Sequence, residues 1–241
     1  MPNRPYVVDI YSGDNVQDTP GPLGGFQRTK DSGIAFLIHK CTEGVGYQDS
    51  RYAARRAAWM TDGLIPVTDT DGTVLQLKPR WAAYHFFHGA NPVAEADYFL
   101  AHAALKPGDD ACCDWEQVGA SGYAPSADAV HDFCSRVEKM CPWLTQGCMI
   151  YSGNVAKEQL HGFDPRFSKR RLWLASYGST FTVQASWRNS GPWLWQDDGD
   201  QWGPGPHHIP GMDGYCDNST VVTPMTVKRL YTEWGGGVPN G

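Results

Sequence analysis

The chain has 241 residues, 41% of them hydrophobic and 19% charged, a length that fits one large domain or two small ones and a composition well inside the globular range. That balance excludes a disordered chain, and no stretch is long and apolar enough to span a bilayer. A formal net charge of -6 argues against a nucleic-acid partner, because phosphate binding rests on clustered Lys and Arg.

In chain order, apolar runs of strand length alternate with amphipathic runs of helix length. Tyr6 to Ile10 and Ala35 to Lys40 read as strands. The helix expected over Tyr52 to Asp62 carries the basic run Arg51 to Arg56, interleaved with Ala and read as a solvated face, as is the shorter run Lys169 to Arg171. Thr61 to Lys78 is a long excursion that reads as a small hairpin turning at Asp71-Gly72. Next come a strand over Arg80 to Phe87 and a helix over Pro92 to Leu105, which Asn91-Pro92 starts with a cap and a first-turn proline. A strand over Ala111 to Glu116 is followed by a helix over Ser126 to Met140, with a similar capping run at Pro125 to Asp128. The last units are a strand over Cys148 to Tyr151, a helix over Val155 to Leu160, and strands over Leu172 to Tyr177 and Trp193 to Gln196. From about Thr180 onward Trp, Gly, Pro and His are dense and helical period is weak until Thr226, which predicts short strands and long loops closing the fold. Strand and helix in alternation imply parallel strands with covering helices. The fold class is therefore α/β, and residues 1–241 are expected to form a single domain.

The seven cysteines are an odd number, and Cys112 and Cys113 are adjacent, which is awkward for mutual bridging; reduced, buried thiols are expected. Cys134, Cys141 and Cys148 recur at sevenfold spacing, but Pro142 interrupts any single helix and the paired short spacings of zinc sites are absent. Neither a metal nor a cofactor is expected.

Chemistry concentrates in Cys112-Cys113-Asp114-Trp115-Glu116. In a strand, residues two apart share a face, so Asp114 and Glu116 would lie roughly 6.6 Å apart along one side. Two neighbouring carboxyls, one holding a proton and the other ionised, are what hydrolysis of a glycosidic bond requires. Taken alone the triplet is a weak signal, and each acid by itself is more often a cap or turn residue than a catalyst. Asp9 also ends an apolar strand, however, and Asp217 lies near the last one, so four carboxylates can converge from the first, middle and last strands. Tyr84, Phe86, Trp115, Tyr151, Trp173, Tyr177, Trp193 and Trp195 fall at or near strand ends. They are candidates to stack on sugar rings, although about half of such residues are expected to belong to the core instead.

Eight blocks stand in order: Val-Val-Asp-Ile, Phe-Leu-Ile-His-Lys-Cys-Thr-Glu-Gly, Ala-Ala-Tyr-His-Phe-Phe, Cys-Asp-Trp-Glu, Met-Ile-Tyr-Ser-Gly, Leu-Trp-Leu-Ala-Ser-Tyr, Leu-Trp-Gln and Gly-Tyr-Cys-Asp-Asn. Together they resemble the glycoside hydrolase family 25 muramidases, the Chalaropsis-type lysozymes found among phage endolysins and bacterial and fungal lysozymes, over nearly the whole chain. The resemblance implies an irregular TIM-like β/α barrel with an acidic groove. It also implies cleavage of the β-1,4 bond between N-acetylmuramic acid and N-acetylglucosamine of bacterial peptidoglycan, with retention. Matched position by position, Glu116 is the general acid and base, Asp114 its partner carboxylate, and Asp9 and Asp217 the acids from the first and last strands. Tyr84, His85, Tyr151, Trp173, Tyr177, Gln196, Lys40 and Glu43 match substrate-groove positions. The block Asp9-Ile10-Tyr11-Ser12-Gly13, Cys41 and Ser176 depart from the usual residues, and the Thr61 to Lys78 excursion is long enough to reshape the groove.

Three alternatives compete with this reading. A chitinase would carry Asp-x-x-Asp-x-Asp-x-Glu, but Cys112 occupies the middle acidic position. A non-catalytic wall-binding barrel would have no need of an acid, yet all four acidic positions are filled. A metal-dependent amidase is disfavoured because His85 with His88 and His207 with His208 do not form a zincin pair on a helix. Without a signal-like apolar run near Met1, the expectation is a monomer made in the cytoplasm that reaches the wall after release, with the glycan strand as partner and no membrane insertion.

Overall fold

The computed structural model describes residues 6–17, 24–120, 122–199 and 201–236. Among these residues eight strands close a barrel: β1 (Val7–Ile10), β2 (Phe36–Glu43), β3 (Arg80–Phe86), β4 (Asp110–Asp114), β5 (Met149–Ser152), β6 (Leu172–Ala175), β7 (Leu194–Asp198) and β8 (Asp217–Thr220). Neighbours pair in chain order, and β1 meets both β2 and β8 to complete the ring. From β1 to β7 every pairing is parallel. β8 departs from the all-parallel expectation and runs antiparallel to both β7 and β1. The cause lies between β7 and β8, where among the described residues no crossover helix carries the chain to the far end, so it returns from the end at which β7 left it.

Alternation along each strand divides the buried residues into two sets. Val7, Phe36, Ile38, Ala82, Cys112, Met149, Tyr151, Trp173 and Leu194 fill the barrel interior. Val8, Leu37, Trp81, Ala83, Ala111, Cys113, Ile150, Leu174 and Trp195 pack outward beneath the helices. Both faces are covered, which is why these runs read as continuous apolar sequence.

The two helices with start signals form where expected. Asn91 accepts from the Ala94 amide (3.2 Å) to open Pro92–Ala103, and Ser126 accepts from the Ala129 amide (3.2 Å) to open Ala127–Met140. The second helix buries Val130, Phe133, Cys134 and Val137, an i, i+3, i+4, i+7 stripe. Truncating Phe133 there costs about 3–5 kcal/mol. Shorter helices follow the other strands at Gly25–Asp31, Tyr52–Trp59, Asn154–Gln159 and Val227–Glu233.

The excursion forms the hairpin Ile65–Thr68/Val74–Leu77, with Asp71 and Gly72 in its turn. It lies at the opposite end of the barrel from the strand C-termini and leaves the groove unshaped. Ile65, Val67 and Leu77 pack with Val7 and Phe36, the first residues of their strands, and with Leu230 and Trp234. Asp69 accepts from the Val227 and Lys228 amides (2.8 and 3.1 Å), capping the last helix, and Trp234 Nε1 donates to the Trp81 carbonyl (2.9 Å). Hairpin and helix thus plug the N-terminal end of the barrel.

Each basic run is solvated only in part: Arg51 and Lys169 are exposed, but Arg55, Arg170 and Arg171 are not. Arg55 is buried and donates to the carbonyls of Tyr11 (2.6 Å) and Asp14 (2.8 Å), Arg170 pairs with Glu138 (2.6 Å), and Arg171 pairs with Asp110 (2.7 Å). All seven cysteines are free and buried. Among the described residues no helix is long and apolar enough to cross a membrane.

Candidate active site

The barrel end at which the parallel strands finish, where chemistry collects in barrels of this kind, gathers the four acids, Asp217 from the start of the antiparallel β8. Asp9 is level with Asp217 across β1 and β8, while Asp114, the last residue of β4, is level with Phe86 of β3 and Tyr151 of β5. The strand ends at Asp114 and not at Glu116 as expected. Trp115 still extends the ladder by donating its amide to the Tyr151 carbonyl (2.9 Å), and it turns its indole outward to the Pro125 carbonyl (2.8 Å). Glu116 then emerges on the side of Asp114, half-buried at the mouth.

Burial and mutual repulsion govern these carboxyls. Burial holds Asp114 well above the usual carboxylate range and the charge of Glu116 adds to this, whereas the Lys40 ammonium pulls the other way. Glu116 is raised by burial and then by the charge of Asp217, and Asp9 is raised well up by burial, then by Asp217 and Asp14. One carboxylate oxygen of Asp114, Oδ1, is buried without a hydrogen-bond partner. Polar groups left unsatisfied in a native interior cost stability, and they cluster where function requires them.

A hydrogen-bonded floor lies under the acids. Trp173 donates its indole N–H to Ser219 Oγ (2.8 Å) and packs against Tyr151, with ring centroids 4.4 Å apart. The Tyr151 hydroxyl donates to Gln196 Oε1 (2.5 Å), and Gln196 Nε2 donates to Asp9 Oδ2 (3.3 Å). Tyr177 hydrogen-bonds with Tyr151 and is 48% exposed, so it alone of these three aromatic residues projects from the surface. Tyr84 stands half-buried on the interior face of β3. On the β2 side Lys40 pairs with Glu43 (2.6 Å), which also meets His88 (3.2 Å), and the ammonium lies over the rings of Phe86 and Tyr47.

A cavity of about 600 Å³ opens beside Glu116, lined by Gln117, Asn154, Glu158, Ser176 and Tyr177 among others. Asn154, Glu158 and Gln117 were not singled out in the sequence. Their signal was positional, since they follow the ends of β4 and β5.

Two expected groove residues lie elsewhere. His85 is fully buried on the outer side of the barrel wall, between Thr42 (2.8 Å) and Glu95 (3.1 Å) and stacked on Phe133 at 5.0 Å. Tyr84 and His85 are adjacent in a strand and cannot both face inward. Trp173 is 2% exposed and supports Tyr151 from below the mouth. Trp115, Trp193 and Trp195, candidates for sugar stacking, are likewise core residues. Among the described residues no cluster of three or more His, Cys, Asp or Glu side chains is arranged to hold a metal ion.

Comparison with known proteins places this geometry. A bacterial lysozyme from Streptomyces coelicolor superposes with a TM-score of 0.70 at 19% identity, covering 93% of this chain and 94% of that one. A muramidase from Acremonium alcalophilum gives a TM-score of 0.68 at 20% identity, over 95% and 98% of the two chains. Both likenesses concern the fold. In sequence, the chain is 24% identical over 175 residues to an autolytic lysozyme of Clostridium acetobutylicum, covering 71% of this chain. The match takes in 44% of that protein, so the chain spans less than half the length of this curated relative. The model of glycosyl hydrolases family 25 matches residues 75–203, more than half of the chain, including Asp114, Glu116, Tyr151, Tyr177 and Gln196, and the chain belongs to that family.

Proposed function

We propose that this protein is an N-acetylmuramidase that cleaves the β-1,4 bond between N-acetylmuramic acid and N-acetylglucosamine in peptidoglycan, with retention of configuration. The observation that carries this reading is Glu116, a carboxyl held above its ordinary range by burial and by Asp217, at the wall of an open cavity and beside the buried Asp114. Family membership supports the reaction class. A carboxyl whose proton affinity is raised, beside a second carboxyl with a nearby cation, is an arrangement that suits glycoside hydrolysis.

Glu116 protonates the glycosidic oxygen as the bond from the anomeric carbon breaks. The carbonyl oxygen of the substrate's 2-acetamido group attacks that carbon from the opposite face, and Asp114 accepts the acetamido N–H; burial raises the proton affinity of Asp114, and the Lys40 ammonium partly offsets this. Glu116, now a carboxylate, takes a proton from the water that opens the cyclic intermediate, and the two inversions restore the starting configuration. Asp9 and Asp217 add negative potential where positive charge develops. The Tyr151–Gln196–Asp9 chain fixes the floor, and Tyr177 offers a face for a sugar ring. The reaction needs no cofactor, the protein acts as a monomer, and its place of action is the bacterial cell wall.

The test is clearance of a cell-wall suspension by Glu116→Gln. Loss of a positioned general acid lowers the rate by about 10²–10⁴-fold. A variant that keeps more than a few per cent of wild-type activity contradicts the assignment.

A further inference from the structure

The exposed tyrosines and tryptophans among the described residues are Tyr11, Tyr47, Tyr123, Tyr177, Trp202 and Tyr215. Five lie in loops and Tyr47 in the short strand Tyr47–Gln48, all in segments at the C-terminal ends of the parallel strands, the end that carries Asp114 and Glu116. The plugged end and the outer helical surface show none. Eight other tryptophans donate their indole N–H to a protein acceptor, and all eight are buried. Trp202 is unlike them. It is 63% exposed, and its indole N–H has no acceptor among the described residues. Tyr215, 51% exposed and with its hydroxyl likewise unengaged, stacks on His208 at 5.3 Å with 25° between the rings.

The loop that carries these rings is fastened at several points. Gly199 and Trp202 exchange both backbone hydrogen bonds (2.9 and 2.8 Å). Gly203 follows at φ 107°, where a Cβ would overlap the Asp197 carbonyl. His207 Nδ1 meets the buried Asp198 at 2.6 Å, and Asn218 donates to Asp198 Oδ2 (3.1 Å) and to the Pro206 carbonyl (3.0 Å). Met212 and Asp213 pair as a short ladder with Val16 and Asn15, beyond β1. An exposed indole costs contact with water, and a rigid loop keeps it in one place, so little ordering remains to oppose binding.

We propose that Trp202, with Tyr215 on His208, is a sugar-binding platform for a stretch of the glycan strand beyond the residues that flank the cut bond. The protein therefore acts on long strands in preference to short oligosaccharides. This deepens the muramidase reading and rests on it for the identity of the polymer. Pyranose rings with equatorial substituents present flat C–H faces that lie on aromatic rings. The free indole N–H and phenol O–H supply donors for hydroxyl and acetamido oxygens. Burial of an exposed Trp at the centre of such a contact carries a large share of binding energy.

The test compares a tetrasaccharide of two disaccharide repeats with long soluble glycan strands. For Trp202→Ala, the ratio of kcat/KM on long strands to that on the tetrasaccharide falls about tenfold, and Tyr215→Ala lowers it by a smaller factor. In the Glu116→Gln background, which binds without cutting, Trp202→Ala weakens the Kd for long strands by about the same factor. An unchanged ratio and an unchanged Kd overturn the platform. Should the wild type cut neither substrate, the muramidase reading fails, while the Kd for long strands still decides whether the platform binds them.

Discussion

Asp110 and Asp114 are the first and last residues of β4, four apart and on the same interior face, yet they lie in opposite surroundings. Asp110 is fully buried at the plugged end, where Arg171 reaches it at 2.7 Å and the amides of Ala111 and Gly235 donate to it (2.9 and 3.3 Å). Asp114 at the mouth is almost as buried, but its Oδ1 has no donor, and two further carboxylates, Glu116 and Glu43, push its proton affinity up. One strand thus carries a satisfied buried charge at one end and a frustrated one at the other. The first is placed to serve stability, and the proposed function gives the second to chemistry, the usual division between the bottom and top of such barrels.

Breaking the satisfied end has the largest effect. Asp110→Ala leaves the Arg171 guanidinium buried without its carboxylate and lowers stability by about 3–5 kcal/mol, read from the urea midpoint. At the frustrated end the sign reverses. Asp114→Asn abolishes a buried like-charge contact, so at neutral pH it raises stability by about 1 kcal/mol while activity falls.

The pH dependence sharpens the contrast. Burial holds Asp9, Asp114 and Glu116 above their ordinary values of 3.8, 3.8 and 4.5, so the native state binds more protons than the unfolded chain. The contribution of these groups to stability is fully present below those ordinary values and is lost as pH rises through the higher native ones. The advantage of Asp114→Asn in thermal unfolding therefore shrinks on going from about pH 7 to pH 5, whereas in the wild type the buried His85, whose proton affinity burial lowers, works against these carboxyls over the same range. The smallest effect is a displacement. Asp217→Asn removes a charge that raises Glu116, so the alkaline limb of the kcat/KM profile moves to lower pH. A limb that stays in place would mean that another group sets it.

Much of this was legible in the sequence because local signals agreed with the fold. Asn91, Ser126 and Asp71-Gly72 each stand where a cap or turn forms. The helix Gly25–Asp31 gave no such signal, since its N-cap is Gly24 with no side-chain hydrogen bond. His85 was misplaced because a sequence block was weighed without strand parity, and parity assigns it to the helix side as soon as Tyr84 faces in. Arg55 and Arg171 read as solvated because charge type alone does not reveal a buried carbonyl or carboxylate waiting at a distant position, Tyr11 in one case and Asp110 in the other. Trp202 was hidden among ten tryptophans until exposure separated it from the rest, eight of which engage their indole N–H within the protein.

The central claim is tested most directly by mass spectrometry of the soluble fragments released from purified peptidoglycan by the wild-type protein and by Glu116→Gln. The account predicts fragments with N-acetylmuramic acid at the reducing end from the wild type and a loss of roughly 10²-fold or more in their release from the variant. Fragments ending in reducing N-acetylglucosamine, or equal release by the two proteins, would contradict it.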